Sequence, residues 1–352
     1  MNKKSFTLQE LAEFTGSDLI GDPNYCITNV ESLELAEGTD ASFLSKPLSG
    51  FRGYEKAMLK SKAGVVFIST ADGLPPDRQF LVNGDPSSAF QKTAEAFYGT
   101  QQEFTGFSDI HPTAVIHPTA KVGRGCTIGP FAVIDKDVKI GDETTVSSGC
   151  YIGPSVQIGS NCLLHPRVTL RERCVLGNRV ILQPGVVIGA CGFGYVTDKT
   201  GRHTKLNQLG SVIIDDDVEI GANSTIDRSR FKNTQIGRGT KIDNLVQIGH
   251  GAIIGEDNII VSQTGIAGSA KTGSRVTIAA QAGVAGHLQI ADNVVVAGRG
   301  GVTKSLMKAG VYGGMPARSI DEHNRSTVHF LNLSTYAKKL KELEKRIEKL
   351  ES

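Results

Sequence analysis

From Ile110 to Val302 an aliphatic residue recurs at every sixth position. The run Ile110, Ile116, Val122, Ile128, Ile134, Ile140, Val146, Ile152, Ile158, Leu164, Leu170, Leu176, Leu182 and Ile188 is unbroken. It resumes at Ile214, Ile220 and Ile226, and after one slip continues from Ile236 to Val302. Thr272 alone breaks the rule. A period of six fits neither strand alternation nor the helical turn, so it marks a solenoid of parallel strands. Four positions after the aliphatic the residue tends to be small, as at Ala132, Thr144, Ser224, Ala252, Ala270 and Ala282. That position is two before the next aliphatic, so strand alternation points both inward. Three hexads then close a triangular coil of about 18 residues, and coils stack at about 4.8 Å. Glycine often follows the aliphatic directly, as in Ile128-Gly129, Ile140-Gly141 and Ile248-Gly249, and is expected to permit tight backbone at a corner.

Residues 1–106 lack the hexad and read as a small α/β domain. Phe6 to Phe14 and Ser87 to Tyr98, the latter entered through Asp85-Pro86, predict helices; Ala63 to Ser69 and Phe80 to Val82 predict strands. Residues 107–312 form the solenoid. Its spacing slips between Ile188 and Ile214, which demands an extruded loop at about 190–210, and again between Ile226 and Ile236. Residues 313–352 predict a terminal helix. Its Leu333, Tyr336, Leu340, Leu343, Ile347 and Leu350 follow coiled-coil spacing, flanked by Lys338, Lys339, Lys341, Lys345, Arg346 and Lys349. Those lysines serve equally as a solvated flank or as a docking surface for an acidic partner.

Composition narrows the classes. A net charge of +2 gives no sign of nucleic-acid binding. No stretch is apolar enough for a membrane span or a signal peptide, so a cytoplasmic location is expected. Cys126, Cys150, Cys162 and Cys174 fall in the small inward slot and read as core filler rather than metal ligands.

Among the eight histidines, His250 and His287 stand out. His250 follows Ile248-Gly249 at a corner, and the residue one coil later is Gly268. A base beside an open backbone N–H is what acyl transfer needs: the base takes the nucleophile's proton and the amide steadies the oxyanion. Asp243 is a candidate to orient the ring. His287 falls two coils on, about 10 Å along the axis. A surface histidine hydrogen-bonded at a corner remains the plain alternative.

Three segments add specificity: Cys191-Gly192-Phe193-Gly194-Tyr195, Thr225-Ile226-Asp227-Arg228, and Ile242-Asp243-Asn244 followed by His250. With them the whole chain resembles the UDP-3-O-acylglucosamine N-acyltransferases of lipid A biosynthesis, a hexapeptide-repeat acyltransferase family. The resemblance implies a mainly β fold: a left-handed parallel β-helix with the small α/β domain and a C-terminal α-helix. It implies transfer of a 3-hydroxyacyl group from acyl carrier protein to the 2-amine of a UDP-3-O-acyl-glucosamine. His250 would be the general base, Asp243 its acidic partner and Gly268 the oxyanion donor, with Asn244 and His287 in support. Lys304 would lie near the carrier's acyl-4'-phosphopantetheine arm, which is co-substrate; no cofactor is bound permanently and no metal is implied. A homotrimer with sites between adjacent solenoids follows from the same resemblance. The N-terminal domain would bind uridine, with Phe43 stacking on uracil. Lys46 stands where the family has asparagine, and Tyr54 comes into register after an insertion of about five residues.

Two rivals make different demands. Another hexapeptide-repeat sugar acyl- or acetyltransferase would use a different acyl donor or acceptor. A zinc-dependent carbonic-anhydrase-like enzyme needs three converging imidazoles, with a close pair inside one chain.

Overall fold

The computed structural model describes residues 4–44, 57–71, 74–75, 77–99, 106–314 and 319–351. Two compact units divide the chain, Met1–Gly106 and Phe107–Ser352.

In the second unit the chain visits three parallel sheets in turn, of ten, ten and nine strands. Each strand pairs with the one a full coil later: Val133 with Tyr151, Lys139 with Gln157, Thr145 with Leu163. The result is a triangular parallel β-helix. Its interior is the six-residue repeat itself, and Ile128, Ile134, Val146, Ile152, Leu164 and Leu170 are fully enclosed. The small slot between successive aliphatics is also inside, as at Ala132, Thr144 and Ala252.

That slot has a polar logic of its own. Thr144 and Thr240 donate their hydroxyls at 2.9 Å to the Gly159 and Gly255 carbonyls of the next coil. Cys126, Cys150 and Cys162 make the same bond more weakly, to Gly141, His165 and Gly177 at 3.1, 3.1 and 3.2 Å. A thiol thus stands in for a threonine hydroxyl at these places. Burial pushes the Cys150 thiol up to about 11, so it stays protonated and inert. Thr272, the break in the aliphatic run, accepts from Asn258 Nδ2 at 2.8 Å and from the Gly255 N–H at 3.1 Å inside the prism.

The glycines do a different job from the one expected of them. The left-handed residue at each corner is the second turn residue, such as Asp137, Glu143, Leu245, Gln263 or His287, and is seldom glycine. Gly129, Gly141 and Gly249 have ordinary backbone angles. A Cβ on Gly141 would stand 2.6 Å from the Gly159 carbonyl carbon, and one on Gly249 2.7 Å from Gly268 N. Glycine follows the aliphatic because successive coils touch there, backbone on backbone.

The repeat is interrupted where the spacing slips. Leu176 pairs with Ile214 and Ile188 with Ile226, so an inserted segment leaves the prism between them. It carries an antiparallel hairpin of Tyr195–Thr197 with His203–Lys205. A smaller bulge sits between Thr225–Arg228 and Asn233–Ile236.

The first unit is a five-stranded sheet in the order Asp18–Ile20, Phe80–Val82, Val65–Ile68, Asp40–Phe43, Asn29–Val30. Helices Leu8–Thr15 and Pro86–Tyr98 pack on it. Thr7 and Glu10 form a capping box at the first helix, and Asp85 caps the second with proline at its start. At the far end of the chain, Ile320–Leu331 and Leu333–Glu351 are helical, and the stripe from Leu333 to Leu350 lies exposed in the single chain. Among the described residues no helix is long and apolar enough to cross a membrane.

Candidate active site

The registers Ile226–Ile248, Ile248–Ile266, Ile266–Val284 and Val284–Val302 stack one sheet's strands directly over one another. Residues two beyond each therefore form a column along one edge of the prism: Arg228, His250, Gly268, Gly286 and Lys304. His287 is the next residue at this edge. His250, Gly268, His287 and Lys304, picked out separately in the sequence, share one line spanning roughly 14 Å.

His250 is half-buried, with its imidazole laid over Gly268. A Cβ at 268 would stand 2.6 Å from Nε2 and 2.8 Å from Cε1. The ring fits only because that residue is glycine. Among the described residues the ring makes no hydrogen bond.

The Gly268 N–H is equally open. At several corners on the other two edges the first N–H is capped by an Asp or Asn of the following coil: Arg124 by Asp142, Ser160 by Asn178, Ala222 by Asn244, Ser274 by Asp292. At Gly268 the following coil presents Gly286, which has no side chain. Among the described residues no acceptor takes the Gly268 N–H, whereas its carbonyl accepts from His287 N–H at 3.1 Å. An imidazole nitrogen and a bare amide donor thus lie side by side on the surface, the pairing that proton abstraction and oxyanion binding require.

Asp243 belongs to a different edge. It follows the strand Lys241–Ile242 of the neighbouring sheet. Its Oδ1 accepts from Asn244 N–H at 2.7 Å and its Oδ2 from Ser262 N–H at 3.0 Å. The single chain therefore does not bring Asp243 to His250; a whole face of the prism separates them. Asn244 caps Ala222 through its Oδ1 at 2.6 Å. Lys304 is exposed and lines a shallow cavity of about 300 Å³ with Gly301, Thr303 and Tyr312.

The coil before His250 holds the charge. Arg228 is buried; its Nε donates to Gly189 O at 2.8 Å and its guanidinium pairs with Glu172. It ties the base of the inserted segment to the prism. Beside it, burial pushes the Asp227 carboxyl up to about 6, against the pull of a hydrogen bond from Gln247. The inserted segment then closes over the histidine: a Cβ on Gly192 would lie 2.6 Å from His250 Cβ. This contact was not foreseen from the sequence, although Gly192 sits in the glycine-aromatic segment singled out there. Gln208, on the return limb, was also missed.

In the first unit the Phe43 ring stacks on Phe90, with centroids 4.6 Å apart, so one of its faces is occupied within the domain. Lys46 and Tyr54 lie outside the described residues.

A family model described as bacterial transferase hexapeptide (six repeats) matches residues 119–154, 137–172, 155–190 and 233–268. Such repeats wind a left-handed β-helix. A protein of Protochlamydia amoebophila named UDP-3-O-acylglucosamine N-acyltransferase is 57% identical over 350 residues, 99% of each chain. One of the same name from Chlamydia pneumoniae is 52% identical over 98% of this chain and 95% of its own. A third, from Methylacidiphilum infernorum, is 49% identical over 97% of this chain and 95% of its own.

Proposed function

This chain belongs to the UDP-3-O-acylglucosamine N-acyltransferases, and we propose that it acylates the 2-amine of a UDP-3-O-acylglucosamine with a 3-hydroxyacyl group delivered by acyl carrier protein. The observation that carries the residue assignment is the imidazole of His250 laid over Gly268, whose N–H is open.

The amine nitrogen attacks the thioester carbon while His250 Nε2 takes its proton. The Gly268 N–H donates to the oxygen that becomes negative. Collapse breaks the C–S bond, and the phosphopantetheine thiolate takes the proton back from the imidazolium. A positioned base contributes about 10²–10⁴-fold and one oxyanion donor about 10²–10³-fold. A thioester is already activated, so the residues at hand suffice.

A trimer accounts for Asp243. A carboxylate one prism edge away cannot serve the same chain's histidine, but in a closed three-fold assembly one edge of a prism meets its neighbour. Asp243 of one chain then lies across the cleft from His250 of the next and stabilises its positive charge, with Asn244 beside it. His287 and Lys304 continue the cleft toward the phosphopantetheine arm. The exposed apolar stripe of Leu333–Glu351 is suited to assembly with two copies of itself, and its lysines to the acidic carrier. Phe43, Lys46 and Tyr54 are assigned to the uridine, and the reaction to the cytoplasm.

The test is mass-spectrometric detection of N-acylated product from acyl carrier protein substrate. Wild type should form it and His250→Ala should lose about 10²–10⁴-fold in rate. An unchanged rate for His250→Ala would remove the histidine from the chemistry, and product only from acetyl-CoA would move the chain to another branch of the acyltransferases.

A further inference from the structure

Gln208 lies on the return limb of the inserted segment and is only 7% exposed. Its Nε2 donates to the Leu206 carbonyl at 3.0 Å. That bond fixes which end of the amide is which, because a reversed amide would set oxygen against oxygen. Its Oε1 is sealed from solvent and has no hydrogen-bond donor. Buried amide oxygens in native proteins are supplied with one, so an exception beside a catalytic group asks for a cause.

The oxygen lies near His250. A Cβ placed on Gly192 would stand 2.9 Å from Gln208 Oε1, 2.9 Å from Arg228 O and 2.6 Å from His250 Cβ. The three groups enclose one small space that only a glycine leaves vacant. Two of them are acceptors, and the third wall is His250, whose imidazole hangs from that Cβ. The Arg228 guanidinium is turned away to Gly189 O and Glu172. A substrate cannot reach an oxygen that solvent does not reach. The imidazole of His250 is the donor-bearing side chain on this wall, and its ring makes no hydrogen bond among the described residues.

We propose that Gln208 is the positioning residue of the catalytic base. In the working site its Oε1 accepts the Nδ1–H of His250, after rotation of the two side chains. The neutral ring is thereby held in the tautomer whose Nε2 is unprotonated and faces Gly268, where the amine proton must be taken. The inserted segment thus contributes the base's orienting group, which explains why it folds back over the column instead of extending from it. Around the ring, the preceding coil carries Arg228, paired with Glu172, and Asp227. The following coil carries the uncharged Gly268 and Ser269, and the assembly adds the neighbouring chain's Asp243.

The proposal rests on the N-acyltransferase reading and is tested on the full-length protein by the pH dependence of kcat/KM for N-acylation. Gln208→Glu keeps the shape and puts a carboxylate against the ring N–H. It stabilises imidazolium, so the base is free only at higher pH, and the acid limb should move up by at least about one pH unit, a tenfold loss of rate below it. Gln208→Met keeps the length and removes the acceptor; kcat should fall at least about tenfold with KM and thermal midpoint nearly unchanged. A limb that stays in place in Gln208→Glu, or a Gln208→Met enzyme with wild-type kcat, overturns the proposal while leaving the N-acyltransferase reading intact. A wild-type enzyme without N-acylation defeats that reading first.

Discussion

At Gly268 two requirements meet on one residue: no side chain, so that the imidazole can lie over it, and an uncapped N–H. The backbone there is not left-handed, so alanine is conformationally acceptable; the cost is steric and local. Gly268→Ala should leave the thermal midpoint nearly unchanged while pushing Nε2 out of line, with kcat lower by about a hundredfold, since small misplacements of a reacting group cost that much. Steady-state kinetics beside a melting curve would check it, and a wild-type kcat would dissociate the ring from the reaction. This relation was legible in the sequence, because counting one coil from His250 lands on Gly268. The open amide was not legible: it depends on Gly286 lacking the Asx cap found at several corners of the other two edges, a contrast visible only once the corners are superposed. Gln208 was hidden for another reason. It sits in the insertion, where the six-residue period assigns no direction to a side chain.

At the scale of the coil, periodicity specified the inward face and left open what happens when a polar residue enters it. Thr272 reads as a defect in the run. In the prism it is the acceptor for Asn258, whose Nδ2 also reaches Gly273 O at 3.0 Å and whose backbone N–H is taken by Thr240. Three residues 14 to 18 positions apart make one buried ladder. The repeat rule alone predicts that Thr272→Val improves packing. The structure predicts the reverse: Val takes the acceptor from the Gly255 N–H and one of three from Asn258 Nδ2, at a cost of about 1–3 kcal/mol, whereas Thr272→Ser keeps it. Thermal unfolding of the two variants decides; a Val variant as stable as wild type would show that the ladder contributes nothing. The same comparison explains the glycines after each aliphatic. Their positions are plain in the sequence, but their reason is contact with the backbone of the next coil, a relation between residues far apart in the chain.

The whole molecule raises the question that a single chain answers only by default, because its best base and its best carboxylate stand on different edges. The separation follows from the hexads: Asp243 trails Ile242 and His250 trails Ile248, so one step of six carries the chain from one sheet to the next. In the proposed trimer a site combining them takes its two halves from neighbouring chains in one fixed rotational sense. That has a quantitative consequence. Chains carrying His250→Ala supply only Asp243, and chains carrying Asp243→Asn supply only His250. Each is expected to be nearly inactive alone. Unfolded together in equal amounts and refolded, they assemble at random, and a site is complete when a histidine-bearing chain is followed by an aspartate-bearing one. Two independent choices of one half give about a quarter of wild-type activity. If histidine and aspartate served within one chain, no mixture could contain an intact pair, and activity would stay at the level of the separate variants. Mixing the proteins without unfolding supplies the control, since preformed trimers should regain activity only as fast as they exchange chains.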